Sequence, residues 1–299
     1  MFLLVAESLA QARVDDSLDA IIGRYFPEGA LVFGVPVHIS TGVPFAESRH
    51  AVHVLAEYLD NDEDGVADDS LLVDTLLQND ARLFITPTRS DLDRIFERLE
   101  GEIPGALERS AWYVNAEGIT GPLTIWQDLA ADEIQIAGAE PKEFDGSLEE
   151  IWHLISHVGL ANAYPDVFAE RPGSRLANAM DAARGGRFPG VPEQYPDTAW
   201  YAYDDTTCVY QCQVTEYFYW ALTSLLGAQE FPGRFDEIQH EWHLNTAEKL
   251  ERTDTQVYGL LNDPLYAIPT RLPTGHYEGH TIEFSDTTTS EIDAQRLDE

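Results

Sequence analysis

The chain has 299 residues, 44% hydrophobic and 11% aromatic, enough to bury a full core in one large domain or two joined lobes and too apolar for a disordered chain. Its 53 acidic residues against 18 basic ones give a net charge of −35, and Lys142 and Lys249 are the only lysines. So acidic a surface repels phosphate, which argues against nucleic acid and anionic membranes as partners.

The same acidity, with Arg in place of Lys, is expected of a halophilic protein, because salt screens the self-repulsion. No run of about 18 apolar residues occurs, so no membrane span is expected. The opening stretch Met1–Ala12 is a short apolar run interrupted by Glu7 and lacks a basic region. A first helix packing on the core is expected there, rather than a whole signal peptide; the remainder of a trimmed one is the alternative. Cys208 and Cys212, four apart, would form one local bridge in an exported protein or stay as thiols. The compartment stays open, with an extracellular setting slightly favoured.

In chain order, Ala30 to Ile39 is β-branched and apolar and reads as a buried strand, with Pro36 at an edge or bulge. Pro44 to Tyr58 follows with apolar residues at helical spacing, and His50 and His53 beside that stripe read as packing residues. Next comes Asp60-Asn61-Asp62-Glu63-Asp64-Gly65-Val66-Ala67-Asp68-Asp69. Acids at loop positions 1, 3 and 5, Gly at 6, a carbonyl from Val66 at 7 and Asp68 at 9 match the first part of an EF-hand-like or dockerin-like calcium loop. Position 12 is Leu71 rather than the bidentate Glu, so Asp68 or Asp69 must close a shorter loop. Six carboxylates in ten residues repel one another without a cation, so Asp60, Asp62, Asp64, Val66 and Asp68 are the expected calcium ligands, in a structural role.

Further elements are a short helix at Leu71–Leu77, a strand at Ala81–Thr86, and a helix capped by Ser90 or Asp91 running to Leu99. Strands are expected at Ser110–Asn115, Leu123–Trp126 and Glu133–Ala137. The segment Asp145–Pro165 then reads as a helix with Ser147 as N-cap and Glu150 in a capping-box position. At 100° per residue, His153 and His157 share one face, and Glu150 joins it a turn earlier; Glu149 projects away from His157 and is the weaker candidate. After a Gly/Pro/Arg-rich stretch with a short helix near Leu176–Ala183, a long aromatic helix spans Gln213–Leu226, stopped by Gly227. Glu216 is its single acid, costly among apolar residues unless paired or on a metal. A last helix, Asp236–Leu250, carries Glu237, His240 and His243, and the tail from Phe284 is expected to fray.

His153 and His157 at i, i+4, followed by Glu216 in Thr-Glu-Tyr-Phe-Tyr-Trp-Ala-Leu, resemble the gluzincin group of zinc peptidases. That resemblance, spanning Leu123 to Leu226, implies a zincin-like mixed sheet and zinc held by His153, His157 and Glu216, with a fourth position open. The sequence departs from the group at Leu154, where the acid that activates water belongs; losing such a base costs about 10²–10⁴ in rate. Glu150 is the expected substitute base, and Tyr203, or Tyr201, the expected oxyanion donor.

The expectation is therefore an α+β fold: a small mixed sheet with helices over residues 1–140, a mainly helical metal-site lobe over 141–283, and an acidic tail over 284–299, the two lobes forming one unit. The expected function is a zinc-dependent, peptidase-like hydrolase acting on a peptide or protein substrate and stabilised by calcium. A non-catalytic zincin-like domain is the alternative. A di-iron carboxylate protein, using Glu150-x-x-His153 and Glu237-x-x-His240 with Glu216, is the third reading.

Overall fold

The apolar run 30–39 folds back on itself in the computed structural model, which describes residues 18–103, 126–136 and 143–286. Strands β1 (Glu28–Val32) and β2 (Val35–Ile39) form an antiparallel hairpin in place of the single strand expected. Phe33 and Gly34 make the turn with φ of 49° and 84°, the left-handed pair that suits a two-residue hairpin. Val32 and Val35 close it, so Pro36 opposite Leu31 falls at a non-bonded position and its missing N–H costs β1 nothing. Pairing of β2 to β3 starts only at Val37, beyond the proline.

Strands β3 (Arg82–Thr86) and β4 (Trp126–Ala130) extend the sheet in parallel, and β5 (Phe284–Asp286) adds antiparallel to β1. The order is β4-β3-β2-β1-β5, a mixed five-stranded sheet in an α+β fold. Residues from Phe284 to Asp286 thus belong to the sheet, not to a frayed tail; residues 287–299 lie outside the described residues, as do Met1–Ala12, Ser110–Asn115 and most of the strand expected at Leu123–Trp126.

Period-two alternation sorts β3 between two cores. Phe84 joins Trp126, Phe96, Leu92, Leu99, Ile22 and Phe26 on one face. Leu83 and Ile85 face the larger core on the other. Helix α1 (Phe45–Leu59) and α2 (Ser70–Gln78) cover the larger core, and α3 (Arg89–Glu102), capped by Thr88 rather than Ser90 or Asp91, covers the smaller. The side chain of Thr88 accepts from the Asp91 N–H, which places the cap two or three residues earlier than the sequence suggested.

Beyond the sheet, α4 (Gly146–His153) continues as a π-wound turn over Leu154–Leu160, followed by α5 (Arg175–Ala183) and α6 (Tyr210–Leu225). The cap of α4 is Asp145, whose carboxylate accepts from the N–H and hydroxyl of Ser147. Helix α4 packs on β4, α1 and α6, with Trp152 between Tyr58 and Phe218. One apolar core includes Val37, Leu83, Trp152 and Tyr217, so it draws on both of the lobes expected from sequence. Where a strand was expected at Glu133–Ala137, the described residues form a 3-10 turn at Ala131–Glu133 followed by irregular chain to Ile136. Nor is Asp236–Leu250 one helix. A short helix ends at Ile238, Trp242 turns in to bridge Tyr201, and α7 (Ala247–Thr253) and α8 (Thr255–Leu261) start again from capping residues Thr246 and Asp254.

Candidate metal centre

Three side chains from α4 and α6 meet beneath β4. Ligand atoms of Glu149, His153 and Glu216 all lie within 4.8 Å of one another, and His153 Nε2 is 3.7 Å from Glu216 Oε2. Donors around a tetrahedral zinc, at about 2.0–2.2 Å from it, stand roughly 3.3 Å apart, so small side-chain shifts close this set on an ion. His153 is 6% exposed, and its buried Nε2 has no hydrogen-bond partner. A buried imidazole nitrogen beside carboxylates but without a hydrogen bond is costly unless a proton or a metal cation bridges it to them.

A further acid flanks the ring on its other side. Glu150 Oε2 lies 3.5 Å from Nδ1, and Gln127 on β4 donates to that same oxygen at 2.5 Å. Tyr219, one turn beyond Glu216, packs edge-on against the imidazole with centroids 5.8 Å apart. Burial is the main force raising the Glu149, Glu150 and Glu216 carboxyls, to about 7, about 8 and about 8. His153 opposes the rise at Glu149 and Glu216, while neighbouring carboxylates, Asp128 and Glu133 at Glu150 among them, reinforce it. Tyr203 is half-buried and raised by burial and by Glu216 and Glu149, so its phenol keeps its proton beside the site.

His157 is not brought into this cluster. The π winding that begins at Leu154 turns each later side chain back from its α-helical position, and His157 Nδ1 instead meets Glu170, which also accepts from Thr215 at 2.7 Å. Gly159 allows the wide turn to seat against α2, since a Cβ there would lie 2.3 Å from Leu72. Leu154 is wholly buried in the core, so the position after His153 points away from the cluster. Glu149 carried a readable signal, because it precedes His153 by four residues, the same spacing that singled out His157. Glu170 had none, lying in the segment just after a four-residue helical turn.

At the acidic loop, Asp60, Asp62 and Asp68 present carboxylate oxygens within 4.8 Å of one another. Asp64 is turned aside, accepting from the Val66 N–H at 2.9 Å, and the Val66 side chain is exposed. Asp60 is fully buried and accepts from the N–H groups of Asp64 and Gly65 and the hydroxyl of Tyr277. Gly65, at φ 89°, makes the sharp turn. Asp69 caps α2 through Leu72 N–H and takes the Tyr164 hydroxyl, so it serves the fold.

His240 belongs to a third group, with Asp204 and Glu241, at the surface. Glu237 is exposed and pairs with Arg234 at 3.3 Å, so the second Glu-x-x-His pair is not gathered with the first. Cys208 and Cys212 are joined as a disulfide at the start of α6. Among the described residues no helix is long and apolar enough to cross a membrane. Comparison with known proteins finds no matching family model, no matching curated protein and no matching solved structure, so the chemistry of this chain has to be read from the geometry of its own residues.

Proposed function

We propose that the protein is a zinc-dependent hydrolase of peptidase-like chemistry, its metal held by Glu149, His153 and Glu216, with a calcium ion at the Asp60–Asp68 loop as a structural support. The observation that carries the metal is the buried, unpartnered Nε2 of His153 set between two carboxylates. One imidazole and two carboxylates are donors that zinc accepts, and three protein ligands leave a position open, the pattern of catalytic rather than structural zinc. Bound zinc would supply Lewis-acid polarisation of a substrate carbonyl. Glu150, braced by Gln127, lies beside Nδ1 of the His153 ring. Tyr203, its phenol kept protonated, donates to oxyanion charge. The disulfide supports an exported protein.

One observation favours a second reading, a non-catalytic metal-stabilised domain. Leu154 lies in the core and Glu150 stands on the Nδ1 side of His153, so neither supplies a base on the face where Nε2 meets Glu216. Elemental analysis and a peptide-library assay decide between them. The hydrolase predicts one zinc per chain, cleavage lost to a zinc chelator, and loss of both metal and cleavage in Glu216→Ala. Stoichiometric zinc without cleavage selects the second reading, and absence of zinc overturns both.

A further inference from the structure

A separate cavity of about 250 Å³ opens where the start of α1 meets the segments around Ile136 and Gly275. Its walls divide by chemistry. Phe45 and Ile136 are 60% and 42% exposed, and both turn apolar surface to this one hollow. Arg49, His50 and His276 form the other wall, and among the described residues no carboxylate lines it. In a chain of net charge −35 such a concentration of basic groups is out of keeping with the surface around it.

His53, one turn along α1 from Arg49, is pushed below its usual value by burial and then by Arg49, His276 and His50. The wall is also built rather than incidental. Asp145 holds His50 Nε2 at 2.7 Å, setting the ring, and the Tyr277 N–H donates to His53 Nδ1 at 3.0 Å, setting the segment that carries His276. Gly275 sits against the His50 ring at φ 74°, and a Cβ there would come within 2.0 Å of Nδ1, so only glycine lets that segment close over the imidazole.

We infer that this cavity binds a small apolar monocarboxylate, its hydrocarbon part against Phe45 and Ile136 and its carboxylate against Arg49 and His276. Guanidinium is the cation best shaped for carboxylate, offering paired N–H donors. The pocket is of a size for about ten heavy atoms, and affinity near a Kd of 1 mM or tighter is the scale such a ligand reaches. The inference is independent of the metal centre.

Titration of the whole protein with 3-phenylpropanoate, followed by ligand-observed NMR and calorimetry, tests it, with neutral 3-phenylpropanamide as the control. Saturable binding of the acid, weakened about tenfold by Arg49→Gln and about tenfold in the amide, is expected. Arg49 is exposed, so its replacement leaves the fold intact, and Phe45→Ser should weaken binding through the other wall. No binding of the acid at millimolar concentration, equal binding of the amide, or an Arg49→Gln protein that binds as well as the parent would each overturn the assignment.

Discussion

The two candidate cation sites show opposite ways of managing buried acid. At Asp60–Asp68 the carboxylates come from one short loop, and Asp60, though wholly buried, is already answered by the loop N–H groups of Asp64 and Gly65 and by the Tyr277 hydroxyl. At Glu149–His153–Glu216 the acids come from two helices distant in sequence, and the central imidazole nitrogen is left without a partner. Satisfied by its own backbone, the first can keep its shape without an ion. The second carries an electrostatic cost that only protons or a cation relieve. On the proposed reading, a cation at the first only reinforces a shape already held, whereas the second depends on its ion.

The sharpest way to break this contrast is His153→Ala. Zinc content should fall from one per chain to background while calcium binding is unchanged, as elemental analysis would show; retained zinc would mean the cluster is not the site. Asp60→Ala attacks the other side. It strips an acceptor from two N–H groups and a hydroxyl, a loss of about 3 kcal/mol in unfolding free energy at about 1 kcal/mol each. Zinc content should stay at the parent level.

The pH response separates the sites further. The carboxyls of Glu149, Glu150 and Glu216 are raised in the fold to about 7, about 8 and about 8 from an ordinary 4.5. The metal-free native state then binds more protons than the unfolded chain between those limits, so its stability falls as pH rises from about 4.5 to about 8. Zinc held by Glu149 and Glu216 would displace the protons of those two groups and flatten the slope. Melting temperatures across this range, with and without chelator, should diverge as pH rises; parallel curves would contradict the coupling. The smallest effect is expected at His157→Gln, where an amide keeps a hydrogen bond to Glu170. A loss of about 1 kcal/mol with zinc unchanged would place His157 outside the ligand set.

What the sequence disclosed divides along the same line. Helices α1 and α6, strand β3 and the acidic loop announce themselves because their signals are local: periodicity, a loop with acids at alternate positions, a stop glycine. The hairpin did not, since Phe-Gly is not among the usual turn pairs and the valines on both sides read as one run. Trp242 broke the expected helix over Asp236–Leu250 through a bridge to Tyr201, forty residues away, which no local pattern contains. At the metal centre, the helix pair and the roles of His153 and Glu216 as neighbours were legible. Glu149 was readable by its spacing to His153, but the loss of His157 was not, because it rests on a π winding that Gly159, seated against Leu72, permits and no local pattern announces.

Strand β5 joins the sheet beside β1, although some 250 residues of chain separate them. Until Phe284–Asp286 arrives, the outer edge of β1 is a bare row of hydrogen-bonding groups, open to pairing with other chains. Completion of the sheet is thus a late event in synthesis, coming after helices α4 and α6 have been made, and the nascent protein depends on whatever shields that edge in the interval.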